Sequence, residues 1–181
     1  MRLVLAGALT AAALAPASAF AVDYMTADQA AQQIFPEADR FESRAVVLEA
    51  AALQTLDAQG VRARSARWPV KVARRGDQTL GYVVSDEVIG KFELISYAVG
   101  IGVNGAVKQV EVLSYRESHG GEIRLPAWRR QFVGKTAAST LRVGDDIANI
   151  SGATLSCTHV TEGVKRIVAV VGLAKKTGLV E

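Results

Sequence analysis

Ile95-Ser-Tyr-Ala-Val-Gly-Ile-Gly-Val-Asn104-Gly105-Ala-Val-Lys-Gln-Val-Glu-Val-Leu-Ser-Tyr115 reads as two strands meeting at a turn. Apolar side chains at Ile95, Tyr97, Val99, Ile101 and Val103 alternate with smaller residues, the period of two that marks a strand with one buried face. Asn104-Gly105 supplies the residue pair that a two-residue hairpin turn demands, and residues 107–115 run back. Pairing across that turn puts Val110 and Val112 on the face of Tyr97 and Val99, which gives one shared apolar surface. Gly100, Gly102 and Gly105 also spell G-x-G-x-x-G. A dinucleotide fingerprint, however, has to open a helix so that a pyrophosphate meets the helix N-terminus, and here a strand follows. These glycines therefore thin a strand and form its turn.

Working outward, residues 68–73 read as a strand, Arg75-Gly76-Asp77-Gln78 as a turn and residues 79–88 as the returning strand. Thr26 and Gln29 form a capping box before a short helix carrying Ala27, Ala30, Ala31 and Ile34, which stops at Pro36. A second helix is expected over residues 44–58, with Val46, Val47, Ala50, Leu53 and Leu56 on one side and Gly60 as its stop. Downstream, residues 125–135 make a short helical turn with Trp128 and Phe132. Ser156 or Thr158 then caps a C-terminal helix whose stripe is Val160, Val164, Ile167, Val168 and Val171. The expected class is α+β: an antiparallel sheet with N-terminal helices and a C-terminal helix packed on it.

Composition narrows the possibilities. With 50% hydrophobic and 22% charged residues over 181 positions, the chain falls outside the disordered class and is long enough for one domain with its own core. An excess of +3, from 21 basic against 18 acidic residues, is too small to carry nucleic-acid binding. The single cysteine, Cys157, excludes a disulfide within the chain and every multi-cysteine metal pattern. Met1-Arg2, an apolar run over residues 3–15 broken only by Thr10, and Ala17-Ser18-Ala19 together read as a cleaved export signal over residues 1–21. Cleavage falls after Ala19 or Ala21. The run is shorter than the ~18 apolar residues of a spanning helix. Residues 22–181 are then one exported domain, with the periplasm as its destination.

Most chemical-looking residues have an ordinary reading. His119 and His159 are too far apart in sequence to form a local ligand pair, and no carboxylate is spaced to complete a metal site. Cys157 and His159, two positions apart on a helix, point away from each other. Arg62, Arg64, Arg67, Arg74 and Arg75 lack interleaved aromatics for base stacking, and read as a solvated face or a docking surface for an acidic partner. Ser151-Gly152-Ala153-Thr154-Leu155-Ser156 differs in kind. Small and hydroxyl-bearing, it leads into a helix whose first-turn N–H groups and dipole favour an anion, while Gly152 lets the backbone approach a bulky group. The same residues also suit an ordinary N-cap. Physics alone leaves the two readings side by side.

The segment closely resembles the flavinylation motif of the FMN-binding domain family, found in the C subunit of the sodium-pumping NADH:quinone oxidoreductase, the G subunit of the Rnf complex and the regulator of nitrous oxide reduction. Tyr115-Arg116-Glu117-Ser118-His119-Gly120-Gly121-Glu122-Ile123 is similar to the Glu-Ser/Thr-x-Gly loop of that family, and Gln131-Phe132-Val133-Gly134-Lys135 to its Gln-Phe-x-Gly-Lys element. All three stand in the family's order, and the likeness extends over about residues 81–173.

The resemblance implies FMN joined through a phosphoester to Thr154 by a flavin transferase that uses FAD and Mg²⁺. It places Ser151, Gly152, Ala153, Leu155 and Ser156 around the phosphate, and Glu117, Ser118, His119 and Gly120 against the flavin. The function it implies is a periplasmic electron carrier working between redox proteins, membrane-associated ones among them, with no nucleic-acid partner. Two other readings accompany it: a flavin-dependent reductase of a metal complex or quinone, and a regulatory binding module with no active flavin. One departure is clear. The family usually carries an aspartate three residues before the motif's serine, and this chain has Ala148, its nearest acids being Asp145 and Asp146.

Overall fold

The computed structural model of the chain describes residues 22–180; the export signal assigned to residues 1–21 lies outside the described residues. Strands β1 (Val22–Asp23), β2 (Arg40–Val47), β3 (Arg67–Arg75), β4 (Gln78–Ile89), β5 (Leu94–Gly102) and β6 (Val107–Tyr115) form one antiparallel sheet in the order β1-β6-β5-β4-β3-β2. From β2 to β6 the sheet is a meander, and β1 closes the far edge against Ser114 and Tyr115. Among the described residues four α-helices accompany it: α1 (Ala27–Ile34), α2 (Ala50–Ala58), α3 (Pro126–Arg129) and the long α4 (Thr154–Lys176). This is the α+β architecture expected from the sequence.

The central hairpin carries the core. Val99 pairs with Val110 and Tyr97 with Val112, as the Asn-Gly turn predicts. Nearer the turn the register slips between Gly100 and Ile101, so Ile101 faces Val107 and the Gly102 N–H closes the loop onto Ala106 O at 2.9 Å. The connection is thus longer than a two-residue turn. Tyr97, Val99, Val110 and Val112 pack with Val160, Val164, Ile167, Val168 and Val171 of α4, all buried in one cluster. Burying each such side chain contributes roughly 1.5–3 kcal/mol.

Alternate residues of the same strands face the other way. Ala73, Val83, Ala98 and Leu113 form a second cluster with Ala30, Ala31, Ile34 and Phe35 of α1 and its C-terminal cap. The Thr26–Gln29 capping box is formed, with Gln29 N donating to Thr26 Oγ1 at 3.1 Å and Thr26 N to Gln29 Oε1 at 2.8 Å. Gly100 seats this helix: a Cβ there would stand 2.2 Å from Ile34 Cγ2. The first glycine of the apparent fingerprint therefore serves packing.

Two local expectations are overturned. Residues 44–47 are not helical: β2 runs from Arg40 to Val47, paired from Arg40–Arg74 through Val47–Arg67, and the helix is confined to Ala50–Ala58. The 3.6-residue pattern across Val46, Val47 and Ala50 was outweighed by the open edge of β3, whose backbone groups need partners. Ser156 and Thr158 do not cap α4 either. They lie inside it, and the N-cap position belongs to Ala153, whose side chain caps nothing.

Among the described residues no helix is long and apolar enough to cross a membrane.

Candidate functional site

Three segments meet at the start of α4. In the first, Ala153 N donates to Ile150 O at 3.0 Å, and Cys157 N makes the first helical bond to Ala153 O at 2.9 Å. The N–H groups of Thr154, Leu155 and Ser156 thus stand at the open end of a 23-residue helix that no side chain caps. Gly152, at φ +81°, turns the chain back just before it. Thr154 and Leu155 are exposed. The Thr154 Oγ1 accepts a hydrogen bond from Asn149 Nδ2 at 3.1 Å.

In the second segment, a cavity of about 410 Å³ separates Gly152 to Ser156 from Glu117, Ser118, His119, Lys91 and Phe92. The Glu117 carboxylate is already committed. Its Oε1 accepts from the backbone N–H groups of Lys91, of Phe92 at 2.6 Å and of Glu93 at 3.0 Å, so it locks the tip of the β4–β5 hairpin. Partial burial pushes its carboxyl up, but the N–H groups of Glu93, Phe92 and Lys91 outweigh that and hold it below the usual range. The locked tip carries Phe92, 74% exposed, which lines the cavity together with Leu155. Ser118 Oγ and His119 Nδ1 lie 2.9 Å apart, both residues exposed.

Beneath the cavity, Tyr115 Oη donates to His119 O and lies 3.2 Å from Ser156 Oγ. Ser156 is buried, so its hydroxyl is spent inside the fold, and what it offers the open end of α4 is its N–H. On its Cβ side Gly120 is filled by Ala153 and the Tyr115 hydroxyl, so the side chain it lacks makes room for packing between the two segments.

The third segment orients the first. Trp128 Nε1 donates to Ala148 O at 2.8 Å, and Ala148 N donates to Gln131 Oε1 at 2.7 Å. Trp128 itself packs edge-on against Phe132, their centroids 5.1 Å apart. Lys135 Nζ meets Asp146 Oδ2 at 2.9 Å, and Asp146 also accepts the Leu141 and Arg142 N–H groups. Burial raises the Asp146 carboxyl, yet the Arg142 N–H, the Lys135 ammonium and the Leu141 N–H bring it to about 2. The Gln-Phe-x-Gly-Lys residues are thus a brace for residues 141–148, which lead into the motif. Asp145 pairs with Arg142 across 3.6 Å, so neither nearby acid takes the position that Ala148 leaves without a carboxylate.

Of the ten residues singled out in the sequence, eight line this cavity, Glu117, Ser118, His119 and Gly152 to Ser156; Gly120 lines the neighbouring cavity instead, and Ser151 is exposed just ahead of Gly152. The sequence did not point to Asn149, Phe92 or Trp128. Asn149 is a polar side chain just ahead of the motif, which is a readable signal; the other two reach the site only through tertiary contacts. Cys157 is fully buried, and burial pushes its thiol up, which argues against an activated nucleophile. His159 turns to Ile89 O at 2.5 Å, away from the cavity. The arginines of the basic stretch scatter: Arg64 holds Glu87 O, and Arg74 sits 3.6 Å from Glu42.

The arrangement suits a phosphate-bearing ligand. An exposed hydroxyl stands beside uncapped first-turn N–H groups, and the adjoining cavity has the size of a small-molecule site and both apolar and hydrogen-bonding walls. Residues 90–169 match the family model described as the FMN-binding domain. No curated protein matches the chain in sequence. The fold is similar to the solved structure of NqrC from Shewanella oneidensis, with a TM-score of 0.54 and 16% identity, covering 80% of this chain and 88% of that one.

Proposed function

Since residues 90–169 belong to the FMN-binding domain family, we propose that the chain is an exported electron carrier holding FMN through a phosphoester on Thr154. The observation that carries this reading is the exposed Thr154 hydroxyl at the first position of an uncapped helix, on the edge of the 410 Å³ cavity. The first-turn N–H groups of Thr154, Leu155 and Ser156 would bind the phosphate oxygens, and the helix dipole favours the negative charge there. Ser151, exposed beside Gly152, adds a hydroxyl donor. Ser118 and His119 would offer hydrogen bonds to the flavin's carbonyls and nitrogens, and the apolar side chains of Phe92 and Leu155 would help exclude water from it, since all four line the cavity. Bound FMN supplies one- and two-electron transfer.

A permanent tether suits a compartment where dissociated FMN is lost, which agrees with the export signal read over residues 1–21. The partners on this reading are a flavin transferase using FAD and Mg²⁺ for maturation, and redox proteins, membrane-associated ones among them, for turnover.

Expression of the whole chain with its export signal and a flavin transferase tests the reading. Denatured wild-type protein should keep yellow fluorescence and a mass gain of one FMN less water, and Thr154→Ala should lose both. An unmodified wild type, with the transferase active on another substrate, overturns it.

A further inference from the structure

We infer that Asn149 is the positioning residue of the tether, its amide orienting the Thr154 hydroxyl for esterification in a chain that has Ala148 in place of a carboxylate. The inference rests on the Thr154 linkage proposed above and concerns how the hydroxyl is made ready.

Asn149 reaches Thr154 by construction. Both backbone groups of Ala148 are held, the carbonyl by Trp128 Nε1 and the N–H by Gln131 Oε1, so Asn149 leaves from a fixed point. Gly152, at φ +81°, then folds the chain back until Asn149 Nδ2 stands 3.1 Å from Thr154 Oγ1. An amide nitrogen only donates. Thr154 Oγ1 is therefore the acceptor, and its own proton is left pointing elsewhere, free to depart. A hydrogen bond of ordinary strength weights one threonine rotamer about fivefold over its alternatives.

In the esterification, Thr154 Oγ1 forms a bond to the phosphorus of the FMN half of FAD and the pyrophosphate P–O bond breaks. AMP leaves with the bridging oxygen, and the hydroxyl proton passes to a base. Asn149 cannot accept that proton, so on this chain the base belongs to the transferase or its bound water. Asn149 contributes orientation alone, and a loss of orientation appears in turnover rather than in recognition.

Exposure of Asn149 allows its removal without opening the core. The experiment follows the initial rate of mass gain of the full chain with flavin transferase, FAD and Mg²⁺ over a range of chain concentrations, alongside the thermal unfolding of the unloaded chain. Asn149→Ala should lower turnover about fivefold at unchanged KM and unchanged unfolding temperature. Asn149→Ser, which keeps a turn-forming side chain but is too short to reach Oγ1, should behave the same way. Wild-type turnover in either variant overturns the inference, as does a slowing confined to KM or accompanied by a fall in unfolding temperature. A wild type that takes up no FMN from an active transferase overturns the Thr154 linkage and this inference with it; a wild type that loads isolates Asn149.

Discussion

The Cβ that Gly120 lacks would stand 2.2 Å from the Cβ of Ala153 and 2.7 Å from the Tyr115 hydroxyl. The Glu117–Gly120 loop and the Ser151–Ser156 segment therefore lock together at a point where no methyl group fits, and Gly120 also holds φ +87°. Gly120→Ala is expected to cost about 2–5 kcal/mol, combining left-handed strain with overpacking. Gly121→Ala is the control, since nothing lies within 4 Å of its added carbon. Urea unfolding midpoints of the two variants check this; equal midpoints would remove Gly120 from the joint.

Glu117 makes a second joint, from the end of β6 to the β4–β5 tip. Glu117→Ala should raise amide hydrogen exchange at Lys91, Phe92 and Glu93 by at least about tenfold, because charge-assisted bonds to backbone N–H groups are among the stronger ones. The folded carboxyl lies below its ordinary value of 4.5. The stabilisation is therefore complete above pH 4.5 and fades as pH falls through the lower folded value. Protection at these three amides should follow that course in wild type and be flat in Glu117→Gln.

What was legible in the sequence follows from how far each cause lies along the chain. Tyr97 opposite Val112 could be read because the alternation and the Asn-Gly turn are local. The same holds for the α1 capping box, closed over three residues. Strand β2 was misread because its partner, residues 67–74, is not written in residues 40–47, and Val46 and Val47 fit a helix stripe as well as a strand. At the site, the motif itself was visible, but the commitment of Glu117 to the hairpin tip was not, because the N–H groups that donate to it lie 24 to 26 positions away. The brace of Trp128 and Gln131 on Ala148 spans 17 to 20 positions and left no local pattern.

Asp146 supplies an acid-sensitive element in the loop before the motif. Its pKa of about 2 lies below the ordinary 3.8, so its contribution to stability is present above pH 3.8 and is lost between there and about pH 2. Solvent screening of this partly exposed pair reduces the contribution to about 1 kcal/mol. Acid unfolding of wild type and Asp146→Asn checks it: the variant should be less stable at neutral pH, and the gap should close as pH falls towards 2. A gap that persists at pH 2 would assign the effect to lost packing.

Gly163, inside α4, sets helix propensity against packing. A Cβ there would stand 1.9 Å from the Tyr97 hydroxyl and 2.7 Å from Tyr97 Cζ. Replacing a mid-helix glycine by alanine ordinarily gains about 1 kcal/mol. Tyr97, however, is fully buried, with its hydroxyl bonded to Asp86 Oδ2 at 3.0 Å, which also takes Arg166 at 3.1 Å. The ring cannot retreat without breaking that bond, and overpacking with a lost buried hydroxyl contact costs about 2–5 kcal/mol. Packing wins, and Gly163→Ala is expected to be net destabilising by about 1–4 kcal/mol. Tyr97→Phe removes the nearest atom but leaves Cζ, so the double variant should recover part of the loss, with a favourable coupling of about 1 kcal/mol in a double-mutant cycle. Additive single effects would mean that α4 shifts bodily off the sheet instead, and the cavity beside Thr154 would change shape with it.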